Sequence, residues 1–426
     1  MLDIKEIEKG IHYYCFVDSK FKFNSLTINL IVALKEESAA KNAVLSSLLR
    51  QSSNKYRTNI ELGAKLRSLY GADFFFDIKR AGNRQIVSFG IEILDDDFSL
   101  NRESLFKEAT ELLFEILFNP KIENGEFLEQ DFEIERKDIV NLVKSTYSDK
   151  RQYAFKEAFK TLFNGKDFAV EKFGSLKVLE ELKVQDLFKA YLELLKDCEI
   201  LISFVGHQEK KECLNAILEK FSYFKKEGFL EVKKQEQYIF EGFKEKQETD
   251  VLTQAKLVIA FSKKEKEENK EDEIAIEVMN YLFGGGGVPT SLLFSNVREK
   301  QSLCYYCKST YNGFLGVIFV ESGVEGANVQ KAYDAIVAQM ELIKKGEFSE
   351  EEIAQVKYTL DSVYGRIFDS EERISSYVLN RFLHNEIFEP QERFEKIKKV
   401  TKEDIVKAAK KFTVSLKYVL KGEQKE

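Results

Sequence analysis

The order of hydrophobic periods along this chain is written twice, and that repeat constrains its fold more than any other feature. Leu26, Ile28, Leu30, Val32 and Leu34 alternate with mostly polar neighbours, the period of a strand with one buried face. Val44, Leu45, Leu48 and Leu49 then fall on one face of a helix. Thr58 and Glu61 have the spacing of a capping box, in which each side chain accepts the other residue's backbone amide, and a second helix follows through Leu62, Leu66 and Leu69. Tyr70 to Lys79 and Gln85 to Leu94 read as strands joined at Ala81-Gly82-Asn83, and long helices are expected over about 100–118 and 128–146.

The second half repeats this order. It predicts a strand at Ala255–Phe261, a helix at Glu273–Phe283, a helix near Ser291–Lys300, and strands at Leu303–Ser309 and Phe314–Glu321. Ser349 and Glu352 form another capping-box pair, and the segment from Val184 ending in ILISFVG is matched by the one from Val400 ending in LKYVLKG. A chain of 426 residues with 44% hydrophobic content is too long for one core. Only Pro120, Pro289 and Pro390 interrupt its helical patterns. The expected class is therefore α+β, with two homologous domains, each a mostly antiparallel sheet covered by helices. The N-terminal domain is expected over 1–228, a lysine-rich linker, parts of which can form edge strands, over 229–250, and the C-terminal domain over 251–426.

Charge narrows the partners. Lys and Arg total 65 against 72 Asp and Glu, spread in mixed runs, so no basic stripe awaits nucleic acid. The run KKEKEENKEDE from Lys263 reads as a solvated loop. The most apolar stretch, Leu26 to Leu34, falls far short of the roughly 20 residues needed to span a bilayer. The start, MLDIKEIEKG, lacks the apolar core of a signal peptide, and five scattered cysteines do not suggest a secreted disulfide framework. A cytoplasmic location is expected.

One segment carries a specific resemblance. In LFGGGGVPTSLLFSNVREKQSLCYY, from Leu282, a Gly-rich loop, a short helix bearing VREK, a Leu and a strand opening on Tyr occur together. This resembles the C-terminal signature of the pitrilysin/insulinase metalloprotease family, and the duplicated halves extend the likeness over nearly the whole chain. Active members of that family have an inverted zinc motif, HxxEH, on the first helix of the N-terminal half, and a more distant Glu. Histidines at i and i+4 share a helical face and reach one zinc, while the Glu takes a proton from the metal-bound water. Here Ala43, Ser46 and Ser47 stand at those positions, and the window for the distant Glu, Asn141 to Lys144, contains no acid. No zinc is expected on this chain. His12, His207 and His384 lie far apart and offer no replacement.

The resemblance further implies that an Arg followed seven residues later by a Tyr serves the substrate site, and Arg298 and Tyr305 keep that spacing. A guanidinium and a phenol can both donate to a scissile carbonyl and to the oxyanion that forms as water attacks. Gly284, Gly285, Gly286 and Gly287 form an expected mobile, substrate-contacting loop; no Lys-Ser/Thr follows, which argues against phosphate binding. Cys304-Tyr-Tyr-Cys307 is formally a CxxC, but residues three apart on a strand point to opposite faces, so it promises little as a chelator or redox pair. The implied role is a noncatalytic, substrate-binding subunit of a heterodimeric zinc metallopeptidase. Its partner would be an HxxEH-bearing sibling that supplies the zinc, with unfolded peptides cut in an enclosed chamber. Within the family the resemblance is to small bacterial members often labelled as associated with elongation factor P modification. The alternatives are a structural scaffold and a homodimeric peptide-binding module.

Overall fold

The computed structural model describes residues 2–224, 229, 231–232, 236–265 and 271–422. Its strands, in chain order, are β1 (Lys5–Glu8), β2 (Ile11–Val17), β3 (Phe23–Ala33), β4 (Asp73–Ala81), β5 (Arg84–Leu94), the two-residue pair β6 (Ile122–Glu123) and β7 (Glu126–Phe127), β8 (Glu199–Gly206), β9 (Lys244–Asp250), β10 (Ala255–Lys263), β11 (Cys304–Asn312), β12 (Val317–Val324) and β13 (Phe412–Gly422). One sheet has the order β1-β2-β8-β3-β5-β4, with β2 and β8 parallel and its other pairs antiparallel. The other has the order β11-β12-β10-β13-β9, with β13 and β9 parallel and the rest antiparallel. Set β4-β5-β3-β8-β2 beside β11-β12-β10-β13-β9 and the paths coincide, parallel pair included. The repeat read from hydrophobic periods thus extends to topology, and the class is α+β.

Alternation decides the faces. Leu26, Ile28 and Leu30 of β3 lie opposite Ile91, Phe89 and Val87 of β5, and this face packs under helices Glu36–Gln51, Leu105–Phe118 and Gln185–Asp197. The reverse face carries buried Ser25, Thr27, Asn29, Ser88 and Ser203. Asn29 satisfies itself there, accepting from Ser88 Oγ at 2.7 Å and donating to the Leu201 carbonyl at 3.2 Å. That reverse face is covered by helix Glu371–Leu383, which reaches it from the C-terminal half of the chain. Conversely, helix Lys150–Leu162 lays Ala154, Ala158, Phe159 and Leu162 on Val258, Ala260, Leu416 and Tyr418 of the second sheet.

The compact units therefore differ from the expected division. One consists of Met1–Lys144, Val170–Lys234 and Arg366–Glu389, the other of Ser145–Ala169, Gln235–Gly365 and Pro390–Glu426. Part of the expected linker, Lys244–Asp250, is the edge strand β9, held in register by β13. An amphipathic period reports that a helix is buried, not which sheet buries it, so the exchanged helices leave no mark in the pattern.

The charged run from Lys263 also departs from a plain solvated loop at both ends. Lys263 closes β10, is 1% exposed, and donates to Glu273 at 3.0 Å and Gln237 at 2.9 Å. Tyr311 donates to the same Glu273 carboxylate at 2.8 Å. Burial pushes the Glu273 carboxyl up, but the Lys263 charge and the Gln237 and Tyr311 donors outweigh it and hold it below its ordinary value. Residues 266–270 of the run lie outside the described residues.

Candidate functional site

The positions where zinc ligands are expected lie on helix Glu36–Gln51, which is buried on most of its surface from Ala39 to Leu49. Ala43 belongs to the apolar core and offers no donor. Ser46 turns its hydroxyl back to the Asn42 carbonyl at 2.6 Å. Ser47 donates to the Glu135 carboxylate from helix Glu129–Ser145. Next to them Asn42 donates to Gln85 at 2.9 Å, and Gln85 donates to the carbonyls of Ala39 and Lys172 at 3.2 and 2.7 Å. These polar side chains are thus engaged with one another and with backbone. Asn141, Leu142 and Lys144 are exposed near the end of helix Glu129–Ser145, and Lys144 pairs with Glu180 at 2.8 Å. Among the described residues no group of three His, Cys, Asp or Glu is placed to hold a metal ion. His12 instead meets Glu199 at 3.2 Å, and His207 Nδ1 meets the Phe21 carbonyl at 3.0 Å.

Sequence reasoning missed Glu135, the acid that faces this helix. The signal was available, because Phe132, Glu135 and Ile139 form one buried stripe at helical spacing. Burial raises the Glu135 carboxyl above its ordinary value, with the Ser47 hydrogen bond opposing and Asp138 adding to the rise. A raised folded-state pKa means that this group's contribution to stability is fully present below the unfolded carboxyl's value of about 4.3 and is lost as pH rises through the folded value. Glu135→Gln should therefore gain stability relative to the parent as pH rises from about 4 toward neutrality. Urea unfolding of both proteins over that range is the check, and parallel pH profiles would refute the assignment.

The glycine run is not a free loop at its start. Gly284 and Gly285 both donate to the Asn280 carbonyl, at 2.9 and 2.7 Å, closing helix Glu271–Phe283, and Ser309 of β11 donates to the Gly284 carbonyl at 2.9 Å. A Cβ on Gly284 would lie 2.5 Å from Leu293, and one on Gly285 would lie 2.8 Å from the Tyr281 backbone. Gly286 and Gly287 have φ of +66° and +63°, which only glycine adopts without strain. Close approach explains the first two glycines, and left-handed backbone the second two.

The helix expected near Ser291–Lys300 is a π-helix over Leu293–Glu299, with Lys300 N donating to the Ser295 carbonyl at 3.1 Å, five residues back. Such wide turns are rare and concentrate at functional sites. Arg298 rides on it with its side chain 40% exposed, its guanidinium 4.5 Å from the Phe294 ring centre and 3.7 Å from Glu299. Leu303 N donates to the Val297 carbonyl at 3.2 Å, which ties this turn to the start of β11. In β11, Cys304 pairs with Val324 and Tyr306 with Gly323, so Tyr305 is the extra residue of a β-bulge. The bulge turns Tyr305 outward, 53% exposed, with its hydroxyl in a long 3.4 Å contact to Glu325. Tyr306 is half-buried beneath the Arg151 guanidinium, 4.5 Å from the ring centre. Arg298 and Tyr305 are thus accessible donors on adjoining elements.

The bulge also overturns the expectation for the two cysteines. It removes one residue from the alternation, so Cys304 and Cys307 fall on the same buried face, at 8% and 3% exposure.

A family model described as the peptidase M16 inactive domain matches residues 181–360. A Bacillus subtilis protein named "Probable inactive metalloprotease YmfF" is 28% identical over 99% of this chain and 98% of its own length. A conserved protein from Enterococcus faecalis, known as a crystal structure, superposes with a TM-score of 0.88 at 28% identity, covering 100% of this chain and 99% of that one. The crystal structure of a peptidase M16 inactive domain from Pseudomonas fluorescens shares the fold, with a TM-score of 0.79 at 16% identity over 100% of this chain and 99% of the other. Among the described residues no helix is long and apolar enough to cross a membrane.

Proposed function

Because the chain belongs to the peptidase M16 family as a noncatalytic member, we propose that it is the substrate-binding subunit of a heterodimeric zinc peptidase whose partner bears the HxxEH motif. The observation that carries this reading is the contrast between two sets of residues. Ala43, Ser46 and Ser47 are buried and turned to packing and internal hydrogen bonds. Arg298 and Tyr305 keep donor groups turned to solvent. A side chain whose only task is packing gains nothing from being lifted out of a strand by a bulge. The partner would supply zinc and the general base. This chain would hold the scissile carbonyl and its oxyanion through the guanidinium and the phenol, with the Gly284–Gly287 turn beside the incoming peptide.

The test is to purify the chain alone and together with an HxxEH-bearing sibling, then measure pair formation, zinc content and cleavage of a quenched peptide. Zinc and cleavage are expected in the pair and absent from the lone chain. Stoichiometric zinc and full activity in the lone chain would overturn the reading. A stable homodimer that binds peptide but gains no activity with any sibling would favour a peptide-binding module instead.

A further inference from the structure

We propose that Cys304 and Cys307 form a redox-responsive dithiol, which a hydroperoxide closes to a disulfide spanning Tyr305 and Tyr306. On an uninterrupted strand these residues would face opposite ways. With Tyr305 taken out of the count, Cys304 stands across from Val324 and Cys307 across from Ser322, two ladder positions apart and therefore on one face. The two thiols are close enough for each to shift the other's titration, and Ser322 acts on both.

Their surroundings make the two sulfurs unequal. Interaction with Cys307 draws the Cys304 thiol below its ordinary value; burial opposes this, while Ser322 and the Arg298 charge reinforce it. Cys307 is pushed well above its ordinary value by its interaction with Cys304 and by burial. That is the division between an attacking thiolate and a resolving thiol. Cys304 is the more exposed of the two, at 8% against 3% for Cys307. Cys15 offers an internal comparison, since burial pushes its thiol up.

The chemistry balances with hydrogen peroxide as oxidant. The Cys304 thiolate attacks one peroxide oxygen, the O–O bond breaks, hydroxide leaves to become water on protonation, and Cys304 becomes a sulfenic acid. Cys307 sulfur then attacks Cys304 sulfur and displaces hydroxide, which leaves as water with the Cys307 proton as the S–S bond forms. Two thiols lose two electrons, and one peroxide becomes two waters.

The experiment treats the reduced full chain with hydrogen peroxide, blocks remaining thiols with N-ethylmaleimide in denaturant, and maps tryptic peptides. Cleavage after Lys300 and Lys308 releases QSLCYYCK, which contains both cysteines. It is expected to lose two hydrogens and take no label before the Cys15 peptide changes. In Cys307→Ser, Cys304 should stop at the sulfenic acid and be captured by dimedone. In Cys304→Ser, Cys307 should remain fully labelled. A doubly labelled QSLCYYCK peptide at peroxide levels that already oxidise Cys15 would overturn the proposal, and the unmodified protein alone can give that result. So would a Cys304 that yields no dimedone adduct in a folded Cys307→Ser chain.

Discussion

Arg298→Ala and Tyr305→Phe, each assayed in a pair with a zinc-bearing sibling, should lower turnover about 10²-fold while leaving pair formation intact. That is the typical loss on removing one oxyanion donor, and the loss should fall on kcat because the donor is needed most when charge develops on the carbonyl oxygen. The Arg298 guanidinium is available for the task. Its nearest carboxylate, Glu299, lies 3.7 Å away and is itself 58% exposed, so no buried ion pair holds it. Tyr305 is similarly available, since its 3.4 Å contact to Glu325 is longer than a firm hydroxyl hydrogen bond. Arg298→Lys keeps the charge but not the planar fork, and should fall between parent and alanine variant. If only KM rises, the residues bind substrate without favouring the transition state. Unchanged kinetics in both variants would remove them from the site.

The largest stability effect is expected inside the second unit, at Glu277. Its carboxylate accepts from Arg393 Nε at 3.0 Å, from Arg393 Nη2 at 2.7 Å and from the Tyr364 hydroxyl at 2.6 Å, and the Arg393 side chain is only 8% exposed. Glu277→Ala takes this carboxylate away from a buried guanidinium, and breaking a buried pair on one side costs about 3 to 5 kcal/mol. For a unit of this size that is a fall in melting temperature on the order of 10 °C. Tyr364→Phe removes one donor and should cost only about 1 kcal/mol. Replacing Glu277 and Arg393 together by methionine should recover most of the loss, because removing both members of a buried pair costs far less than removing one. Calorimetry of the single and double variants distinguishes these outcomes. A double variant as unstable as Glu277→Ala would contradict the argument.

Local signals carried well from sequence to structure, because the physics behind them is local. Thr58 with Glu61 and Ser349 with Glu352 each form both arms of the expected capping box. The alternation from Leu26 correctly assigned one face of β3 to the core. What failed depends on a neighbour that the sequence does not name. The parity rule misassigned Cys304 and Cys307 because one residue of β11 lacks a partner on β12, and pairing between strands decides where that residue sits. The glycine run looked free because its anchors, Asn280 and Ser309, belong to other elements. Glu135 looked like one acid among many on a charged helix, until its stripe was seen facing Ser47. The π-helical turn under Arg298 leaves no hydrophobic period of its own in so short a segment.

The exchanged helices bear on the order in which the molecule can be completed during synthesis. The strands of the first sheet all precede Gly206, yet the helix that covers their polar reverse face begins at Glu371. A nascent chain therefore carries that sheet half-dressed, its buried serines and asparagine still open to water, until most of the polypeptide has left the ribosome. The second sheet has its borrowed helix, Lys150–Leu162, before the first of its strands, but waits for β13, which joins β10 to β9 and is made last of all. Neither half is thus complete until synthesis is nearly over, and a ribosome that stalls before Glu371 leaves the first sheet without its covering helix and the second without β13.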